Sequence, residues 1–311
     1  MSQIALSTPV PFAAPNRLRL ALMVGGFLLL WSSAFSAGKV ALADCPPLIF
    51  LSARCLAAGV LMMAFAAASG IRWTLSKRDV AVFAALGVAN QAMFLGIGFL
   101  GLETVSSGLA ALIVSANPIV TAVLAATLLG ERMTWRKALG LLLGLGGVAF
   151  IVQSRLNLGT DQAGGIVLVV IALFALVGGT ILFKLFAPKQ GLWIGNGVQS
   201  LAAGVTILPF AAGFESIQNV ALSASLIAAF AYSVLFVSVF AYLLWFRILT
   251  VSGATAASSY HFLIPPLGML FGWLLLGEHL EVADLFGIVP VAFGIYLVTR
   301  PGSSMDASPK S

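Results

Sequence analysis

Charge is what this chain has least of. Asp, Glu, Lys and Arg make up 8% of its 311 residues and hydrophobic residues 60%, where soluble domains carry roughly 25% charged residues. A soluble core of this size could not hide so much apolar surface, so lipid must be the solvent for most of it. Cysteine is scarce as well: Cys45 and Cys55 supply neither a disulfide framework nor a CxxC metal pattern, and no metal or other cofactor is expected. The net charge of +6 is gathered in short loops. That placement orients membrane helices and does not make a nucleic-acid surface. The opening MSQIALSTPVPFAAPN lacks the basic start of a signal peptide, and residues 1–17 read as a disordered cytoplasmic extension.

What is present is a repeat. LETVSSGLAALIVSANPIVTAVLAATLLGE, from Leu102 to Glu131, aligns without a gap on LTVSGATAASSYHFLIPPLGMLFGWLLLGE, from Leu249 to Glu278. Ala110 falls on Ala257, Pro118 on Pro265, and Gly130-Glu131 on Gly277-Glu278; beyond them Gly140 falls on Gly287 and Gly147 on Gly294. A second echo sets Leu56-Ala57-Ala58-Gly59 on Leu201-Ala202-Ala203-Gly204. The chain is therefore two copies of one membrane unit.

A crossing helix needs about 20 apolar residues. Ten such helices are expected, at roughly 18–41, 46–69, 79–101, 104–129, 134–153, 164–187, 190–212, 222–249, 253–276 and 281–299. With a cytoplasmic N-terminus, every Lys and Arg but the deeply placed Arg54 falls at the cytoplasmic side except Lys39 and Arg155, as basic residues require. Five helices per copy is odd, so the second copy enters upside down. Glu131, beside Arg132, Arg136 and Lys137, then lies inside; Glu278, beside Glu281 and Asp284, lies outside. The expectation is an all-α protein of ten transmembrane helices in two inverted five-helix repeats, 18–153 and 164–299, with both termini cytoplasmic and a tail over 300–311. Inverted repeats rocking about a midplane site are the architecture of secondary transporters.

Taken in order, WSSAFSAGKVALADCPPLIFLSARCLAAG (31–59), the Pro118…Glu131 and Pro265…Glu278 pair, and VFAYLLWFRIL (239–249) resemble the EamA-type transporters of the drug/metabolite transporter superfamily. The likeness covers about 18 to 299. It implies an inner-membrane location and movement of small metabolites, often amino acids. The spans hold no embedded Asp or Glu, which argues against the carboxylate-centred antiport of organic cations found in small multidrug members of that superfamily.

Few residues could carry chemistry inside the bilayer, where an ionisable group is costly. Arg54 lies about eight residues into the second helix, roughly 12 Å deep at 1.5 Å per residue. Its planar fork suits a carboxylate or phosphate, although a long side chain can also snorkel outward. His261 is the only histidine of the apolar body; it shares a face with Ser258 and Pro265 and could either carry a proton or serve as a hydrogen-bonded structural group. Gln91, Asn117, Asn90, Ser115 and Gln199 supply amides and a hydroxyl near midspan. Trp31 and Tyr242 supply aromatic faces that pack apolar groups or hold an ammonium. Some of these must bond helix to helix. Pro118 and Pro265 each free a backbone carbonyl; lipid cannot satisfy it, so both prolines belong beside the cavity. Together with Glu131 and Glu278 they form a structural or gating set.

Three apparent motifs are discounted. The GxGxxG of residues 96–101 lies in a membrane helix without a preceding strand. The SxxK of 36–39 has none of its companions. Gly140-xxx-Gly144 is a small-residue packing face that could support a homodimer as easily as an intramolecular contact. The sequence thus points to a secondary transporter that works by alternating access, is not an enzyme, and has the lipid bilayer and a small-molecule substrate as partners and no nucleic acid. Amino-acid export is the leading expectation. An intramembrane enzyme would need a nucleophile–base pair or metal cluster, and neither is found. A structural or lipid-scrambling protein would show no saturable solute flux.

Overall fold

The computed structural model describes residues 17–300 except 103, 106, 154–161, 189–190 and 278–281. Glu278 and nearly all of both terminal extensions lie outside the described residues. The helical segments follow the expected order: α1 (Arg17–Leu42), α2 (Pro47–Ala68), α3 (Lys77–Leu102), α4 in two pieces, α4a (Ser107–Val114) and α4b (Asn117–Leu128), α5 (Trp135–Val152), α6 (Ala163–Phe186), α7 (Leu192–Phe214), α8 (Ala224–Val251), α9 in two main pieces, α9a (Ala254–Ser259) and α9b (Ile264–Leu276), and α10 (Val282–Thr299). Eight of the described helices are long and apolar enough to cross a membrane by length and composition. The broken α9 and the shorter apolar stretch Phe286–Thr299 complete the set. No strand occurs among the described residues.

Local chemistry sets the helix ends. Ser76 and Asp79 make a reciprocal capping box that starts α3, and Thr134 and Ser223 cap α5 and α8 through their hydroxyls. The two Leu-Leu-Gly stops work through backbone geometry: Gly130 and Gly277 take φ of +67° and +68°, a left-handed turn that a side chain would disfavour.

One expectation needs correction. The proline-bearing helices α4 and α9 are not continuous. Residues 115–116 form a turn, and Tyr260–Leu263 tighten into a 3-10 segment. Pro118 and Pro265 then sit in the first turn of the helix that follows. A proline lacks an N–H, and the first turn is where none is needed. Helices α3 and α8 are not plain either: Val88–Ile97 and Ser233–Ala241 wind as π-helix. These stretches occupy corresponding places in the two repeats.

Packing between the repeats is reciprocal along two seams. Where α2 meets α7, a Cβ on Gly59 would come within 2.5 Å of the Leu201 side chain, and one on Gly204 within 2.6 Å of Leu56. Those are the residues of the second sequence echo. Where α5 meets α10, a Cβ on Gly140 would lie 2.6 Å from the Gly294 carbonyl oxygen, and one on Gly147 2.8 Å from that of Gly287. The Gly140-xxx-Gly144 face is therefore occupied within the chain, by α10 at Gly140 and by Phe262 at Gly144. Leu142, Phe174, Val205 and Phe236 are exposed on the outside, where lipid is the solvent.

Gly140→Ala is expected to lower the thermal unfolding midpoint in detergent, by the equivalent of about 1–3 kcal/mol for an overpacked contact. Gly146→Ala on the same helix meets nothing within 4 Å and should leave the midpoint unchanged. Equal effects of the two would contradict the α5–α10 seam.

Candidate functional site

The irregular stretches of α3, α4, α8 and α9 lie at midspan, and most of the candidate residues gather beside them in two adjoining groups. The first is polar. Arg54 on α2 is only 8% exposed. A guanidinium so enclosed by protein does not snorkel to the headgroups. It lies close to Tyr242 and Cys55. Its Nε and Nη2 have no hydrogen-bond partner among the described residues. Buried donors in that state are costly, and a planar fork with two free N–H positions is what a carboxylate accepts.

Gln91, on the π-stretch of α3, ties three helices together. Its Oε1 accepts from the Cys55 thiol at 3.1 Å on α2, and its Nε2 donates to the Ser200 hydroxyl at 3.5 Å on α7. Gln199, which falls on Arg54 in the repeat, donates from Nε2 to Asn196 Oδ1 at 3.3 Å and leaves its Oε1 unpaired. Asn196 in turn donates to the Ser238 carbonyl at 2.9 Å, inside the π-stretch of α8. Asn90 points its side chain at Gly179 of α6, where a Cβ would lie inside the amide's contact radius, while its backbone carbonyl accepts from the Tyr242 hydroxyl at 3.3 Å. The π-stretches thus expose carbonyls that side chains of neighbouring helices satisfy, as a water-free interior demands.

The second group is aromatic and joins the first at Tyr242. Trp31 on α1 lies 5.1 Å from the Tyr242 ring in an edge-on arrangement and 5.3 Å from Phe27. Phe27 stacks on Trp245 at 5.3 Å. The His261 ring stands edge-on to Trp245 at 4.7 Å and near Phe27 at 5.7 Å. Its Nδ1 is 3.1 Å from the Ser258 carbonyl of its own helix. Such tilted pairs add specific geometry to burial.

Ser115 and Asn117 lie at the break in α4 and bond within that helix. The Ser115 hydroxyl donates to the Ala111 carbonyl at 2.7 Å, and Asn117 Oδ1 accepts from the Thr121 hydroxyl at 2.9 Å, leaving Asn117 Nδ2 unpaired. Pro118 and Pro265 flank the two breaks. Sequence reasoning missed Ser238, Ser200 and Phe27 as members of these groups. Ser238 could have been found, because it falls on Gln91 at the spacing of the main repeat; Phe27 carries no such signal. No group of His, Cys, Asp and Glu suited to a metal ion occurs among the described residues.

At one end of the bundle, just after α4b, Glu131 has a defined role in the structure. Its carboxylate accepts from the backbone N–H groups of Ala254 and Thr255, the latter at 3.2 Å, and so caps α9a. A carboxylate at a helix N-terminus is favoured by the helix dipole. At the opposite end Glu215 does the same for α2, accepting from Leu48 at 2.9 Å and Ile49 at 2.7 Å.

Comparison with known proteins gives a consistent result. The EamA-like transporter family matches residues 19–153 and 163–300. The uncharacterized transporter YvbV of Bacillus subtilis is 26% identical over 94% of this chain and 95% of its own length. A protein of Chlamydia muridarum named as an S-adenosylmethionine/S-adenosylhomocysteine transporter is 28% identical over 86% of this chain and 88% of its own. One solved structure superposes with a TM-score of 0.76 at 17% identity, covering 91% of this chain and 98% of the other. At that identity it speaks for the fold alone.

Proposed function

The chain belongs to the EamA-like transporter family, and from that premise we propose that it exports an amino acid or a closely related dipolar metabolite by alternating access. Its spans make it a multi-pass membrane protein, and the relatives it matches are named transporters. The observation that carries the substrate class is Arg54, an enclosed guanidinium with two unpaired nitrogens. A carboxylate docked there would satisfy both donors and neutralise the charge. The aromatic group beside it offers faces to an ammonium or an apolar side chain. The Chlamydia relative is named for ligands that carry an α-amino-acid group, which is in keeping with such a site.

Transport follows the solute's own gradient in this reading. A coupling proton would need a titrating group at midspan, where the sequence offers only His261. That ring is enclosed by Phe27, Trp31 and Trp245 and engages its own helix at Ser258, as a structural histidine does.

Reconstituted protein loaded with candidate amino acids should show saturable exchange. Arg54→Gln should reduce flux of carboxylate-bearing solutes by about tenfold or more at normal expression, for loss of a charge-assisted pair. Arg54→Lys should recover part of it, since an ammonium lacks the planar fork. Wild-type flux in Arg54→Gln would return the residue to a packing role. An imposed pH gradient should not drive accumulation in wild type or in His261→Gln; accumulation by wild type that His261→Gln abolishes would overturn uniport.

The orientation completes the proposal: an inner-membrane protein with both termini in the cytoplasm. Thiols introduced at the exposed positions Gln218 and Arg132 test it. A membrane-impermeant reagent outside the cell should modify Gln218→Cys and spare Arg132→Cys. The reverse pattern would invert the topology.

A further inference from the structure

We propose that Glu131 is the latch of the cytoplasmic gate: its carboxylate holds the two repeats together at that end, and the site opens to the cytoplasm only when it releases α9a. The proposal rests on the alternating-access reading and orientation given above. Glu131 belongs to the first repeat and the N–H groups of Ala254 and Thr255 to the second, so this contact crosses between the halves. The same α8–α9 turn is held from its other side by Lys184 at the end of α6, whose Nζ donates to the carbonyls of Leu249 and Ser252, each at 2.9 Å. A carboxylate grips the turn's N–H groups and an ammonium its carbonyls, each sign where the backbone dipoles favour it. Gly253 lies between them. A Cβ there would stand 2.9 Å from Glu131 Oε1, although its φ of −66° suits any residue, so glycine is needed at this position for room. Beneath the latch, Ala125 and Ala254 are fully buried in one apolar cluster with Val177 and Ile181.

Symmetry indicates which contacts must change. The α2–α7 and α5–α10 seams map onto themselves when the repeats are exchanged, so they persist if the two halves swap conformations. The pairing of α4b with α9a does not map onto itself. Its repeat-related pair, α4a with α9b, shows no comparable packing among the described residues. The structure is therefore closed at the α4b–α9a end. To open there it must give up this contact, and Glu131 supplies its hydrogen bonds.

The test uses the full chain with a reporter thiol, Ser258→Cys, at a buried position one turn into α9a. Inside-out vesicles expose it to an impermeant maleimide from the cytoplasmic face. Glu131→Gln should speed labelling by about tenfold, as expected for loss of a charge-assisted cap. Gly253→Ala should do the same while keeping the carboxylate. A second reporter, Gly38→Cys at the far end of α1, where nothing lies within 4 Å, should label from outside no faster in either variant. Faster labelling at both ends would mean general loosening and would overturn the latch; so would an unchanged rate at Ser258→Cys. Labelling needs no substrate. Solute flux with no labelling change sinks the latch alone, and a labelling change in a protein that moves no solute sinks the transporter reading and keeps the contact as a conformational one.

Discussion

Backbone hydrogen bonding in a medium without water is the constraint on which the rest of this structure depends. Lipid satisfies no carbonyl and no N–H, so a membrane helix may depart from its ladder only where protein supplies the missing partner. Among the described residues, α3 and α8 depart by π-winding and α4 and α9 by breaks ahead of proline, besides the single interior prolines Pro209 of α7 and Pro290 of α10. The partners for the π-stretches come from neighbouring helices, as with the Tyr242 hydroxyl on the Asn90 carbonyl and the Asn196 amide on the Ser238 carbonyl. The irregular backbone, the amides and the aromatic cluster are thus in one place because each requires the others.

The same constraint divides the molecule into firm and yielding parts. Glycine-lined seams let α5 lie against α10 and α2 against α7 at backbone distance, and such contacts are many and short. The α4 and α9 pieces are brief and broken, and where α4b meets α9a they are held by side-chain caps on a turn. Capping bonds are few, and each can be exchanged for water when the end opens. A scaffold with persistent seams and exchangeable caps can move without unfolding.

Much of this was legible in the sequence, because a repeat doubles every signal. The inverted halves, the Gly-Glu stops and the residues of the α2–α7 seam could be read from aligned letters. That Arg54 stands well inside a helix followed from counting along it. The π-windings and the breaks could not be read in that way. Whether a proline kinks a helix or begins a new one depends on the surroundings of the carbonyl it would free, and the letters of one helix do not state those surroundings. Asn90 shows the same limit: the sequence places its amide near midspan, and its side chain lies against Gly179 of α6, a contact that neither residue's local sequence announces.

The reciprocity of the seams is that of two separate copies of one unit. Leu56 and Gly59 meet Leu201 and Gly204, the same letters in inverted order of contact, which is the geometry of a self-complementary interface in a two-fold dimer. A single five-helix unit, inserted into the membrane in both orientations, would already carry both faces of the α2–α7 seam. In such a dimer one glycine-to-leucine change would strike the interface twice. In one chain no such doubling applies and each half can differ: Arg54 stands opposite Gln199 and His261 opposite Val114 on a frame that is still two-fold at its seams.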